Sequence, residues 1–144
     1  MRNNIGLFLF GLFSCASFAA DPVGVTRAWA RITAPEQAMG VAYMTLQSPV
    51  DTTLLEVTSP AADQIEIHKM SINKGVMQMR MLKTLPLPAG KAVKFEPGGL
   101  HLMLFGLHDG MKHGGRFLLT LKLADKDGKR YSQEVEIATR SAAE

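Results

Sequence analysis

The sequence has almost no cysteine. Cys15 is the only one among 144 residues, and it lies before the cleavage point that we predict after Ala19. A mature chain without thiols forms no disulfide and supplies no thiolate ligand. This excludes zinc fingers, iron–sulfur clusters and blue-copper electron carriers, all of which need thiolates.

An excess of charge of one sign is also missing. Sixteen Lys and Arg residues face thirteen Asp and Glu residues, so the formal net charge is +3, and it falls to +2 when Arg2 is removed with the leader. Such a balance is too even for a surface that binds a polyanion. We therefore expect no nucleic-acid partner.

Long hydrophobic runs are missing beyond the N-terminus. There, Arg2 supplies a positive charge, Ile5–Phe13 form an apolar run, and Ser17-Phe18-Ala19 match a small-x-small cleavage site. Residues 1–19 are predicted to be a cleaved signal peptide. No later run approaches the ~18 uncharged residues that a spanning helix requires, so we expect a soluble, periplasmic protein.

An alternative leaves the N-terminus attached to a lipid. In this interpretation Leu12-Phe13-Ser14-Cys15 is a lipoprotein cleavage box, and the thiol of Cys15 is acylated. The bulky Phe13, next to a small residue, fits such a box poorly. Cleavage after Ala19 is therefore the favoured interpretation.

Short runs of β-forming residues recur along the rest of the chain. They predict strands at Val25–Ile32, Gly40–Leu46, Thr53–Val57, Gln64–Met70, Gly75–Leu82, Ala92–Phe95, Leu100–Leu107, Phe117–Leu123 and Tyr131–Ile137. Their spacing and the hairpin turn Asp127-Gly128 favour one all-β domain, an antiparallel sandwich or barrel, over residues 20–138. A polar tail follows at 139–144. Pro86 falls between predicted strands, and Trp29 is expected in the core.

Alternation along the strands separates a core face from an opposite face. Along the strand at 100–107, the leucines share one side, whereas His101 and Met103 share the other. Along the strand at 64–70, the isoleucines take the core side and leave His68 opposite. We therefore expect both histidines to face away from the aliphatic core.

Two histidines and two methionines stand at a distinctive spacing. His68 is followed after ten residues by Met79, then after twenty-one residues by His101, and after one more residue by Met103. Imidazole and thioether donors together suit a soft monovalent metal, whereas zinc, magnesium and calcium gain little from a thioether. We therefore predict that these four side chains bind one Cu(I) ion.

Soft donors are concentrated in one part of the chain. All four histidines and six of the nine methionines lie between positions 68 and 113. Taken alone, the alternating Met77, Met79 and Met81 are more typical of core filling, because methionine packs into irregular gaps. The histidines that accompany them favour metal binding instead.

His108, Met111 and His113 form a separate group in a glycine-rich segment. A solvated loop is the simpler interpretation of this segment. The alternative is an auxiliary copper site, since nitrogen donors suit Cu(II).

The chain resembles the PCuAC family of periplasmic copper chaperones, whose motif reads H(M)x10Mx21HxM. The motif falls on His68, Met79, His101 and Met103 with no change of spacing. The resemblance covers nearly all of the predicted mature chain, and it implies a cupredoxin-like Greek-key β-sandwich with an exposed Cu(I) site. It also implies copper delivery to the CuA centre of cytochrome c oxidase subunit II, with a Sco-type thiol assembly factor as partner.

Three functions stay open at this point. A copper carrier is favoured, a periplasmic copper-sequestering or tolerance protein would use the same site, and a metal-free interaction domain would use none. We expect no enzymatic activity, because the four donors occupy the metal and no catalytic base or open coordination position is evident.

Overall fold

Ten β-strands make up most of the described part of the chain. The computed structural model describes residues 22–31, 34, 36–108 and 115–140. The strands are β1 Gly24–Arg31, β2 Met39–Gln47, β3 Thr52–Thr58, β4 Ala62–Asn73, β5 Val76–Leu82, β6 Leu85–Leu87, β7 Ala92–Phe95, β8 Leu100–Leu107, β9 Arg116–Asp125 and β10 Arg130–Arg140. None of the described residues belongs to a helix that could cross a bilayer. The predicted signal peptide with Cys15 lies outside the described residues.

The strands join edge to edge into one sheet. Its order is β5-β4-β8-β7-β2-β1-β10-β9-β3-β6, and β8 also pairs with β2. Most neighbours are antiparallel, but β1 pairs with β10, and β7 with β8, in parallel. The predicted all-β class is confirmed, and the two parallel pairings are a feature that strand patterns alone do not reveal.

Aliphatic side chains from both halves of this sheet pack into one hydrophobic core. Its fully buried members include Leu102 and Leu104 from β8, Leu119, Leu121 and Leu123 from β9, Leu54 from β3 and Ile137 from β10. Burial of one such side chain stabilises the fold by about 1.5–3 kcal/mol, so these residues fix which face of each strand is inside. His68, His101 and Met103 consequently lie on the outer face of β4 and β8.

A two-residue turn fixes the register of the hairpin that carries most of the methionines. Lys74 and Gly75 join β4 to β5 with φ angles of 50° and 76°, the two positive values that a type I′ turn requires. The flanking residues Asn73 and Val76 face each other, and the ladder continues from them without a shift. Each residue of β5 therefore has a defined partner on β4.

The last hairpin has the turn that the sequence predicts. Gly128 has a φ of 80°, and the Asp125 carboxylate accepts hydrogen bonds from the amides of Asp127 and Lys129, both at 2.9 Å. The strand that follows, β10, extends to Arg140. Thr139 and Arg140 are therefore part of the sheet, while residues 141–144 of the predicted tail lie outside the described residues.

The prediction that Pro86 lies between strands is wrong, because Pro86 is the central residue of β6. This strand is the last one of the sheet and pairs only with β3. Proline has no amide proton to donate to the sheet. An edge strand tolerates it at a position where the amide would face away from the neighbouring strand, because no hydrogen bond between strands is lost there.

Trp29 lies outside the core, contrary to the prediction. Its neighbour Ala30 is fully buried, so alternation places Trp29 on the outer face of β1. There its ring lies 4.8 Å from the ring of Tyr43, and the Arg140 guanidinium carbon lies 4.6 Å from the indole centroid. Trp29 is therefore stabilised by stacking against an aromatic ring and a guanidinium group, and not by burial in the core.

Candidate metal centre

His68 and His101 lie opposite each other on neighbouring strands. They are direct cross-strand partners in the β4–β8 ladder, and their ring centroids are 5.5 Å apart, nearly edge to face. The two positions are separated by 33 residues in the sequence (101 − 68), and the antiparallel register brings them together. This pair is the centre of the candidate site.

His101 is held in place by a backbone contact. Its side chain is on the outer face, yet the residue is only 5% exposed. Nδ1 lies 3.1 Å from the carbonyl oxygen of Gly99, and because a carbonyl only accepts, Nδ1 carries the proton. In this tautomer Nε2 has the lone pair that a metal ion needs.

His68 is oriented by a carboxylate. Its Nε2 lies 2.7 Å from Oε2 of Glu66, so Nε2 donates and the lone pair is on Nδ1. Oε1 of the same carboxylate accepts a hydrogen bond from the Gln64 amide at 2.8 Å. The Nδ1 atom of His68 is buried and has no hydrogen-bond partner in the described part of the chain, which is unusual for a buried polar atom and suits a metal ligand.

Met103 supplies a thioether on the same face of β8 as His101. It lies opposite Glu66 on β4 and opposite Val41 on β2. The side chain is half-buried and also lines an open groove of about 320 Å³ with Met39 and Val41. Met103 is therefore next to the histidine pair and accessible from the side of β2.

The methionines of β5 lie on the other side of the histidine pair. Met81 is the cross-strand partner of His68, while Met79 is the partner of Met70. Met79 is thus diagonal to His68, at a distance that a long side chain can bridge. Core filling is the wrong interpretation for Met77, Met79 and Met81, because they are 67%, 51% and 51% exposed.

Two neighbours of the centre, Glu66 and Met81, are not indicated by the ligand spacing. Glu66 stands two residues before His68, which places both side chains on one face of β4. Met81 becomes the partner of His68 only through the Lys74-Gly75 turn. The sequence features that indicate these neighbours are the alternation along β4 for Glu66 and the Lys74-Gly75 dipeptide, a hairpin-turn signal, for Met81.

The donors at this centre are soft or borderline. Within residues 22–31, 34, 36–108 and 115–140, no three His, Cys, Asp or Glu side chains form a group that could hold a metal ion. Two imidazoles and adjacent thioethers form a donor set that suits Cu(I) better than zinc or calcium.

His108 is engaged away from this centre. Its Nδ1 lies 2.8 Å from the Pro60 carbonyl oxygen and its Nε2 lies 2.6 Å from Oδ1 of Asp63. Both partners only accept, so both ring nitrogens carry protons in this arrangement and neither is free to bind a metal. Met111 and His113, the other members of the possible auxiliary site, lie outside the described residues.

The contact between Glu66 and His68 gives a first testable prediction. Glu66→Ala removes the carboxylate that holds the His68 ring and its tautomer, and we expect Cu(I) affinity to fall by about 10–100-fold. Glu66→Gln keeps a hydrogen-bond acceptor and should lose less. Anaerobic titration against a Cu(I) chelator measures both variants, and equal affinity in Glu66→Ala and the wild type would show that the carboxylate does not position the ligand.

Comparison with known sequences identifies relatives of the whole domain. A family model described as "Putative lipoprotein LpqE-like" matches residues 23–137. "Putative lipoprotein Lxx21020" of Leifsonia xyli subsp. xyli (strain CTCB07) is 29% identical over 134 residues, which cover 84% of this chain and 80% of that protein.

Comparison with solved structures identifies the fold. The copper-bound PCuAC domain from PmoF2 has a TM-score of 0.65 at 17% identity, and the alignment covers 86% of this chain and 97% of that domain. The solution structure of CuI-DR1885 from Deinococcus radiodurans has a TM-score of 0.64 at 27% identity, with 90% of this chain and 85% of that one covered. The predicted cupredoxin-like β-sandwich is confirmed by these likenesses.

Proposed function

Because the chain belongs to the LpqE-like lipoprotein family and has the fold of a PCuAC domain, we propose that it is a copper chaperone of the cell envelope. It binds one Cu(I) ion through His68, Met79, His101 and Met103. The observation that carries the proposal is the histidine pair, in which two imidazoles face each other and each ring has one nitrogen held by an oxygen acceptor.

The similar solved structures support copper as the cargo. One of them is a copper-bound PCuAC domain and another contains Cu(I). Two imidazoles with thioethers hold Cu(I) without thiolates, and this is an advantage where cysteines are oxidised. Sulfur of a thioether resists oxidation better than a thiol, so the cargo site survives outside the cytoplasm.

One side of the copper centre is exposed, which suits a protein that transfers its bound copper ion to another protein. Met79 and Met81 are half-exposed on an edge strand, so an acceptor can reach the ion from that side. The proposed acceptor is the CuA site of cytochrome c oxidase subunit II, reached directly or through a Sco-type thiol protein. Cysteine thiolates of such an acceptor bind Cu(I) more strongly than thioethers do, and this difference sets the direction of transfer.

The lipoprotein description of the family supports an exported, cell-envelope location. We place the mature domain in the periplasm, after removal of residues 1–19. The word lipoprotein in the descriptions of the family and of the relative is the observation in support of the alternative, in which Cys15 is acylated and the domain stays attached to a membrane.

Copper supply separates the chaperone from a copper-sequestering protein. In a deletion strain grown at limiting copper, we expect cytochrome c oxidase activity to fall, and added copper should restore it. Wild-type protein should complement the defect, whereas a His68→Ala, His101→Ala double variant should not. Normal oxidase activity together with poor survival in excess copper would instead identify a sequestering protein.

A further inference from the structure

The β4–β5 hairpin at the edge of the sheet contains more methionine side chains than a single copper site needs. We call Met70, Met77, Met79 and Met81 the methionine stripe. The last three alternate along β5, which is the first strand of the sheet and pairs only with β4. Met70 lies on β4 directly opposite Met79, so all four side chains are on the outer face of the hairpin.

The stripe does not pack against anything that would explain it as core. Met77, Met79 and Met81 are at least half exposed, and Ile72, the partner of Met77, is 74% exposed. Exposed apolar side chains in such a row are costly on an edge strand, since they invite association with other chains. Ile72 and Val76 of the same hairpin are exposed as well, so what distinguishes the three methionines is the row of sulfur atoms that they present on one face.

The register brings three of these sulfurs within reach of one ion. Met70 and Met79 are a direct cross-strand pair, with β-carbons about 4.5–5.5 Å apart in such a ladder. Met77 is two residues from Met79 on the same strand, about 6.5–7 Å away. Methionine has three rotatable side-chain bonds, so three thioethers at these spacings can converge above the sheet.

The surroundings of the stripe favour a soft ion. The outer-face pairs of the hairpin are Ile72 with Met77, Met70 with Met79, and His68 with Met81. None of these six side chains is a carboxylate. Hard cations such as calcium and magnesium have no oxygen ligand here, whereas Cu(I) is bound well by thioethers.

We propose that Met70, Met77 and Met79 form a second Cu(I) site made of thioethers alone. The site lies beside the histidine pair, and Met81 supplies the β5 thioether to that pair when both sites are filled. Met79 is close enough to serve either site, so an ion captured on the exposed stripe moves to the histidines by exchange of one ligand at a time.

Stoichiometry tests the proposal. In anaerobic titration with Cu(I) alone against a competing chelator, the wild type should bind two ions, the second about tenfold or more weakly because it lacks imidazole ligands. Met77→Leu should abolish the second equivalent and leave the first unchanged. Met39→Leu is the matched control, because Met39 is a 54% exposed methionine of the same sheet face outside the stripe, and both equivalents should remain.

A histidine variant makes the two sites distinguishable. His101→Ala should weaken the first equivalent and leave the thioether site intact. A wild type that binds a single Cu(I) would overturn the second site and leave the proposed function standing. Loss of both equivalents in His101→Ala, or retention of the second one in Met77→Leu, would equally overturn it.

X-ray absorption adds a readout that does not depend on affinity. On going from one to two equivalents of Cu(I), the mean number of sulfur neighbours per copper should rise and the mean number of nitrogen neighbours should fall. In Met77→Leu treated with two equivalents and then freed of unbound copper, the spectrum should keep the composition of the first site. The exposed Met77 side chain tolerates leucine with little change in stability, so folding does not confuse the result.

Discussion

Replacing His101 with alanine is expected to lower the Cu(I) affinity by about 100-fold or more, because loss of a ligand costs more than the roughly 10–100-fold that loss of a group supporting a ligand costs. The variant removes the imidazole that faces His68 across the β4–β8 ladder. It also removes the ring that Gly99 holds in one tautomer. A thioether variant such as Met79→Leu should cost less, because Met81 on the same strand lies next to His68 and can take its place.

The control for this experiment is His108→Ala. His108 is a histidine of the same strand region, but both of its nitrogens are hydrogen-bonded to oxygen atoms. Its loss should leave Cu(I) affinity unchanged. Because His101 is 5% exposed, a thermal melt must accompany the titration, and a folded His101→Ala protein with wild-type affinity would rule out the histidine pair as the copper site.

Gly106→Ala is expected to lower the free energy of unfolding by about 2–4 kcal/mol, the largest effect on stability that we predict. Gly106 has a φ of 64°, a conformation that residues with a β-carbon adopt at a cost. A β-carbon added there would also overlap the side chain of Asp63, including its own β-carbon. Relief of this overlap requires a shift of β4 against β8, the two strands that carry the histidines.

Gly90→Ala separates the two contributions. Gly90 has a similar φ of 71°, but a β-carbon there meets nothing within 4 Å. It should cost about 1–2 kcal/mol from backbone strain alone, and the difference between the variants measures the overlap with Asp63. Denaturant unfolding of both proteins provides the numbers. Equal losses in the two variants would show that Asp63 moves aside freely.

The sequence predicts nine of the ten described strands and the facing of the histidines because both depend on local alternation, but it misses the three-residue strand β6. β7 and β8 have the predicted bounds, and the core leucines of β8 leave His101 and Met103 on the opposite face. The sequence spacing of the four donors identifies them as candidate ligands, but it does not give the distances between them in the folded protein. The structure adds that His68 and His101 are direct partners.

Features that depend on register or on distant contacts are not predictable in this way. The pairing of Met81 with His68 follows from the turn at Lys74-Gly75 and from the strand order. His108 is bound by Pro60 and Asp63, 48 and 45 residues away in the sequence. The size of Trp29 predicts a position in the core, whereas the burial of its neighbour Ala30 decides its side of the strand.

The two-residue turn between β4 and β5 determines which face of β5 carries the sulfur atoms. A strand shows alternate side chains on alternate faces, so a slip of one residue exchanges the two sets. An insertion at Lys74-Gly75 that slips the β4–β5 pairing by one residue would therefore turn the sulfur atoms of β5 to the side that now presents Arg80 opposite Lys69. An insertion that the loop itself absorbs, as a three-residue hairpin loop does, leaves the pairing of Asn73 with Val76 intact and keeps the β5 thioethers beside the histidines.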